Sequence, residues 1–386
     1  MIRKIVDHLE IVKNSEDTYI VNNTITNRYV KLGKREINYL LQLKGLEKWD
    51  DIKSTEQLST EQQELLYSKF EEWGYFNLQN VNKKKKIDAS NIILVTLDTN
   101  KRFSGIMERF KVLISPIGFA LLILSIAITI YAVIFESSAF LLIANNAQIG
   151  VKELIGIYIL MFFTVMIHEL SHATACYKYS GKTGGIGIKL FYLLPAFYCD
   201  VSNIYMTGSR KKSFIVSIVG LASNVIISSI AILIYIVLYH YQIYCRTLLY
   251  FFVLNTGLII YNLFPFAKFD GYWILKSILG IDNLYDKGIV LFYKCIFSFR
   301  KFSKDNMSLK RKLFLTAYGA SSFIFHWLIW VYSIVGLNLT FERYIDAPEY
   351  ISITLLSILA IVGSINCVIF SKKYYVLYKS KMNLLY

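Results

Sequence analysis

The chain has 386 residues, is 55% hydrophobic, has a mean hydropathy of +0.44 and carries a formal net charge of +15. Such a composition excludes a soluble globule and implies several membrane spans. The basic excess, which would suggest nucleic acid in a soluble protein, is explained by the Lys and Arg that membrane proteins concentrate in cytoplasmic loops. The five cysteines (Cys176, Cys199, Cys245, Cys295, Cys367) are scattered without a C-x-x-C, so they suggest neither a disulfide framework nor a cysteine-rich zinc site.

The first residues, MIRKIVDHLE, lack the apolar core of a signal peptide and are expected to stay in the cytoplasm. Residues 1–82 are polar and read as a small α+β domain. Tyr19-Ile20-Val21 and Tyr29-Val30-Lys31-Leu32 are expected strands flanking a turn at Asn22-Asn23, and Lys34 to Leu43 an expected helix. Thr60 with Gln63 suggests a capping box for a second helix, in which Leu65, Leu66, Phe70 and Trp73 recur at helical spacing and Gly74 supplies the stop. Residues 83–111 are expected to be a linker or interfacial segment: Lys83 to Lys86 form a solvated charge run, and 88–110 is compatible with a strand or an interfacial helix.

From residue 112 onward the pattern is that of a membrane domain, with spans expected at about 112–135, 153–176, 213–238, 247–267, 313–336 and 350–371. Arg210, Lys211 and Lys212 precede the third span. Lys287, Lys294, Arg300, Lys301, Lys304, Lys310, Arg311 and Lys312 follow the fourth, and Lys372, Lys373, Lys379 and Lys381 lie in the tail. The opposite loops hold only Lys152, Arg246 and Arg343. This asymmetry predicts six spans with both termini cytoplasmic, and the localisation expected is multi-pass in a cell membrane. Between the second and third spans, residues 181–205 are apolar but rich in Gly and broken by Pro195, which predicts a re-entrant hairpin whose strand edge could receive an extended substrate. The fold class expected is therefore mainly α: about six transmembrane helices with a re-entrant hairpin, preceded by a small winged-helix-like α+β domain.

The second span contains His168-Glu169-Leu170-Ser171-His172. Two imidazoles four residues apart share one helix face, and H-E-x-x-H is a zinc site with the Glu as general base. Catalytic zinc takes three protein ligands and leaves one position open. The third is expected to be Asp270 in Asn262-Leu-Phe-Pro265-Phe-Ala-Lys-Phe-Asp270-Gly271, at the depth of His168 by the charge topology. Pro265 should end the fourth helix there, and Gly271 permits a sharp turn after the acid. Asp200, in the hairpin, is the rival ligand, with a local hydrogen bond or a substrate contact as its other reading. His326 reads as a helix-packing residue.

H-E-L-S-H at 168–172 followed by N-x-x-P-x-x-x-x-D-G at 262–271 resembles the site-2 protease family of intramembrane zinc metalloproteases, over roughly residues 150–280. The resemblance implies His168, His172 and Asp270 as zinc ligands and Glu169 as catalytic base, with Asn262, Pro265 and Gly271 in support. Gly220 and Asn224 resemble the family's G-x-x-x-N element, although Leu221 stands where a proline often follows the glycine. Residues 1–82 are similar to the PqqD-like leader-recognition domains of ribosomal peptide maturation, which implies binding of an extended leader; a regulatory or scaffolding role is the alternative. Asp50, Asp51, Glu61, Glu64, Glu71 and Glu72 leave no basic stripe for nucleic acid. Together these readings predict a zinc endopeptidase that matures a ribosomally made peptide, bacteriocin-like or a signal, near the cytoplasmic face. The alternatives are regulated cleavage of a membrane-tethered regulator and a non-catalytic immunity or export partner.

Overall fold

A computed structural model describes residues 8–15, 17–25, 28–43, 58–76, 91–98, 104–135, 150–191, 194–303, 307–344 and 349–382. Lys83 to Lys86 lie outside these residues, as do Asp50 and Asp51. The N-terminal layer begins with three antiparallel strands, β1 (Leu9–Ser15), β2 (Thr18–Asn23) and β3 (Arg28–Gly33), in the order β1-β2-β3. Helices α1 (Lys34–Leu43) and α2 (Thr60–Glu72) close over them on a core of Tyr19, Val21, Ile37, Leu40, Phe70 and Tyr75.

Two local expectations shift here. Asn22 and Asn23 lie within β2 and not in a turn, because Asn22 pairs with Tyr29 in the ladder and the Asn23 amide donates to the Gly74 carbonyl at 3.2 Å. The capping box sits one residue earlier than expected. Ser59 caps α2, accepting from the Gln62 N–H, while the Gln62 side chain accepts from the Ser59 N–H, the reciprocal geometry a hydroxyl and an amide three residues apart allow. Gly74 follows at φ 76°, a left-handed stop that glycine adopts without penalty.

Among the described residues, six helices are long and apolar enough to cross a bilayer, which makes the chain a mainly α, polytopic membrane protein. They are α4 (Pro116–Phe135), α5 (Val151–Ser180), α6 (Arg210–His240), α7 (Arg246–Leu263), α11 (Leu309–Tyr344) and α12 (Glu349–Met382). A seven-residue helix α3 (Ser104–Phe110) precedes them. Ile117, Phe119, Leu124 and Phe135 of α4 are exposed, as expected of a helix that lipid covers. Helix α7 ends at Leu263, a few residues short of the expected 267, because Pro265 cannot continue the ladder. Three short helices, α8 (Asp270–Leu279), α9 (Leu284–Phe297) and α10 (Phe299–Ser303), link α7 to α11. Helices α9 and α11 cross so closely that a Cβ on Gly319 would lie 2.0 Å from the Gly288 carbonyl oxygen. On that platform the Tyr318 hydroxyl donates to the Pro265 carbonyl at 2.8 Å, pinning the segment that leads to Asp270.

The expected hairpin forms as β5 (Gly185–Phe191) and β6 (Leu194–Cys199). A third strand joins it, β4 (Asn91–Asp98), in the stretch whose sequence allowed strand or helix; the order is β4-β5-β6, all antiparallel. Gly187 makes this pairing possible, since a Cβ there would meet the Val95 carbonyl oxygen at 1.9 Å. One side of the sheet packs on α5: Ile186 and Cys199 meet Leu170 and Ala173, and Phe197 contacts Phe162 edge-on with ring centroids 5.4 Å apart. The 3-10 turn Ser202–Thr207 carries the chain from β6 to α6 and touches the N-terminal layer, where the Tyr29 hydroxyl donates to Asn203 Oδ1 at 2.8 Å. Lys31 and Asp282 add an exposed ion pair at 3.0 Å.

Candidate metal centre

Helix α5 is apolar on its lipid side and polar inside, with Thr164, His168, Ser171, His172 and Thr174 buried. The hydroxyls of Thr164, Ser171 and Thr174 are spent on backbone carbonyls one turn back. The imidazoles are not spent in this way. His172 directs Nδ1 at the Val216 carbonyl oxygen of α6, 2.6 Å away. A carbonyl can only accept, so the proton sits on Nδ1 and the Nε2 lone pair is left to face inward.

That inward space is shared by three side chains from two distant segments. His168 Nε2 lies 3.0 Å from Asp270 Oδ2, His172 Nε2 lies 3.4 Å from Asp270 Oδ1, and the two Nε2 atoms are 3.1 Å apart. One donor atom from each lies within 4.8 Å of the others. Ligands about 2.0–2.1 Å from a tetrahedral zinc stand roughly 3.3 Å from each other, close to the separations found. The donor chemistry agrees: two imidazoles and a carboxylate, of which the histidines are only 5% and 6% exposed. Asp270 Oδ2 is at contact distance from His168 but is not aligned for a hydrogen bond, and it has no other partner among the described residues. A buried carboxylate oxygen crowded against two imidazole Nε2 atoms, at least one of which presents its lone pair, calls for a cation. The residues present thus fit zinc.

Neighbouring backbone sets this geometry. Helix α6 approaches through Gly220, where a Cβ would lie 2.3 Å from His172 Nε2 and 2.9 Å from His168 Cε1. Any side chain there would displace both rings. Asp270 opens α8, and the following Gly271 lets that helix tuck under the end of α7, since a Cβ at 271 would sit 2.0 Å from the Leu263 carbonyl oxygen. Glu169 is half-buried beside the trio, one position off the ligand face of α5.

The remaining expected residues separate into two groups. Asn224, one turn beyond Gly220 on the same face of α6, is fully buried, and neither amide atom has a partner among the described residues. Asn262 is half-buried on the last turn of α7, and Pro265 follows that helix with its carbonyl held by Tyr318. Asp200 stays with the hairpin outside the trio: its Oδ1 accepts from the Ser202 N–H at 3.0 Å, and its backbone closes on Gly184 and Gly185. His326 stacks on Phe370 between α11 and α12, with ring centroids 3.6 Å apart.

Two residues near the site escaped the sequence reading. Asn255 of α7 donates to the Asn224 carbonyl at 3.1 Å and to Ser228 Oγ at 2.8 Å, tying α7 to the α6 turn that carries Asn224. Lys189 of β5 is the second. Burial lowers its ammonium below the ordinary value, and the charges of Glu169 and Asp270 oppose that shift, so a cation lies within the field of the site. The lone basic residue in Gly185-Ile-Gly-Ile-Lys189-Leu-Phe191 was the available signal. Cys199, also near Glu169, is held well above the ordinary thiol value chiefly by burial.

No family profile and no solved structure matches the chain. Over 136 residues, 35% of its length, it is 33% identical to a protein of Bacillus subtilis (strain 168) named "Putative peptide zinc metalloprotease protein YydH". The aligned part spans about half, 52%, of that relative.

Proposed function

We propose that this chain is an intramembrane zinc metalloendopeptidase that cuts a peptide near the cytoplasmic face of the bacterial membrane. The convergence of His168, His172 and Asp270, with Glu169 adjoining, carries the reading. Zinc held by these donors would polarise the scissile carbonyl and ease deprotonation of water. Glu169 takes the proton of the attacking water and delivers it to the leaving amine, the two halves of general base and general acid work by one carboxylate. Val216 and Gly220 keep the imidazoles aimed inward. Asn224 offers an unspent buried amide to the substrate backbone, and Asn262 and Pro265 shape the approach to Asp270. Bilayer and protein together keep bulk water away from the site, which strengthens each of these interactions.

The distribution of Lys and Arg supports cytoplasmic termini, with the trio toward that side. The β4-β5-β6 sheet lies against the helix that carries the trio and could pair with an extended substrate. The N-terminal layer would dock a precursor and raise its effective concentration at the cut. That the relative is named a peptide zinc metalloprotease supports a peptide as the substrate in this reading. Co-expression with candidate small precursors, followed by mass spectrometry, tests this. Wild type should release a mature fragment that Glu169→Gln does not, with zinc retained in both. Cleavage unchanged in Glu169→Gln would remove the reading.

A further inference from the structure

Helix α3 and the 3-10 turn Lys111–Ile114 that continues it run along α5 just before the first span. Met107 anchors α3, fully buried against Leu170 and Ala173 of α5. At the other end the Lys178 ammonium donates to the Ile114 carbonyl at 3.0 Å. Beside this fixed segment lies a cavity of about 210 Å³, lined by Val112 and Leu113, by Ile167 of α5 and by Ile227 of α6. Its only polar side chains are Arg109 and Ser223.

We propose that this cavity holds an acyl chain of an anionic phospholipid whose phosphate is bound by Arg109. The interior suits a hydrocarbon. Ser223 donates its hydroxyl to the Gly220 carbonyl at 2.7 Å, so that proton is spent. A peptide brings an N–H and a C=O with each residue, and these would go unpaired against such walls. The volume is below that of pockets enclosing a whole ligand, about 300–1,000 Å³, as befits one chain of a lipid whose remainder stays in the bilayer. Arg109 supplies the charge. Its neighbour Glu108 is already paired with Lys111 at 2.5 Å, and the exposed Arg109 guanidinium has no hydrogen bond or ion pair among the described residues. A cation beside hydrocarbon is costly until it meets an anion, and the guanidinium fork matches phosphate with two parallel hydrogen bonds. Three more cations stand over the same segment. Lys111 lies 5.8 Å from the Tyr177 ring, and Lys178 and Lys212 lie 5.8 and 5.9 Å from the Tyr179 ring. Basic pockets of this kind between spanning helices select acidic headgroups.

Position gives the lipid a consequence. Ile167 lies eleven residues before Lys178 on α5, about 16 Å along the axis at 1.5 Å per residue. A chain that enters beneath the lysines and reaches Ile167 stops one residue from His168, against the α6 turn that begins at Gly220. It would back the α5–α6 contact that aims the imidazoles.

The test places the full chain in nanodiscs of equal parts phosphatidylglycerol and phosphatidylcholine, extracts it in mild detergent, and counts the retained lipids by mass spectrometry. Wild type should retain phosphatidylglycerol over phosphatidylcholine by at least about fivefold, the worth of one cationic side chain near an acidic headgroup. Arg109→Gln should remove most of that preference. Val112→Trp, which blocks the cavity and keeps every charge, should lower retained phosphatidylglycerol at least fivefold. Lys379→Gln, the same loss of charge on α12, should change neither, and helical content should stay the same in all three. Equal retention of the two lipids, or none, would overturn the proposal. So would Val112→Trp retaining as much phosphatidylglycerol as wild type, which would mean loose attraction to a basic surface, or Lys379→Gln matching Arg109→Gln, which would mean an effect of net charge alone.

Discussion

Asn23 and Asn224 are both 0% exposed, one in the N-terminal layer and one among the membrane helices, and they are used in opposite ways. Asn23 is spent on structure: its amide donates to Gly74 and its carbonyl accepts from the Ile25 N–H at 3.1 Å, joining β2 to the end of α2. The Asn224 side chain is spent on nothing among the described residues. A buried polar group without a partner costs about 1–3 kcal/mol, and a fold keeps such a cost where a ligand or substrate relieves it. His172 lies between the two, with one ring nitrogen committed to Val216 and the other reserved. At these positions the N-terminal layer consumes an amide in building itself while the membrane layer leaves one unspent beside the metal ligands; the contrast belongs to the site and not to the layers, since Tyr19, Asn22 and Tyr75 of the N-terminal layer each also bury a polar atom without a partner among the described residues.

The largest expected effects fall on the reserved groups. His168→Ala should remove zinc, read by metal analysis of the purified chain, and abolish hydrolysis with it. Glu169→Gln should keep the metal and lower turnover by about 10²–10⁴, the usual worth of a positioned general base. If His168→Ala retained stoichiometric zinc, the trio would not be the metal site. Next is Gly220→Ala. The added methyl presses on His172 Nε2 and His168 Cε1, so zinc affinity should fall by about 10–100-fold, as for other losses of support around metal ligands. A competition titration with a zinc chelator measures it. Unchanged affinity would mean that α6 can move away from α5 and that Gly220 does not set the ring positions.

The asparagine pair sharpens the comparison itself. Asn23→Ala strands the Gly74 carbonyl and the Ile25 N–H and should destabilise the N-terminal layer by about 1–3 kcal/mol. Asn224→Ala strands nothing and should leave thermal stability unchanged or raised while kcat/KM falls. Equal losses of stability in the two would erase the distinction between spent and reserved groups.

The sequence and the structure agree most where the determining pattern is local or periodic. The six spans follow from runs of apolar residues, and H-E-x-x-H is an i, i+4 pattern that one helix displays by itself. Asp270 came from a less local argument: charge topology set it at the depth of His168, and the structure brings the two together. Depth alone could not separate it from Asp200, because the difference between them is where the chain turns after Pro265 and after β6. Gly220 against the imidazoles, Asn255 beneath Asn224, Lys189 in the field of Glu169 and β4 against β5 all depend on contacts between segments tens of residues apart, which no periodicity encodes. The misplaced cap is a different case: Ser59 and Thr60 are adjacent hydroxyls, Gln62 and Gln63 adjacent amides, and both pairings satisfy the same rule.

The smallest expected effect lies where the two layers meet. Burial, with Asp200 second, raises the Tyr29 phenol above its ordinary value, so the folded chain favours the protonated form that donates to Asn203. The contribution of a group raised in this way is complete below its unfolded pKa, about 10, and is lost as pH rises from there toward the raised folded value. Tyr29→Phe removes the hydrogen bond and should cost about 1 kcal/mol at neutral pH, read as faster hydrogen exchange in β3 and in the Ser202–Thr207 turn. The variant also removes the titrating group, so the gap between it and wild type should narrow above about pH 10. A gap that stayed constant there would mean that the hydroxyl does not hold the layers together, and that the Lys31–Asp282 pair and the packing of Tyr29 on Tyr205 do so without it.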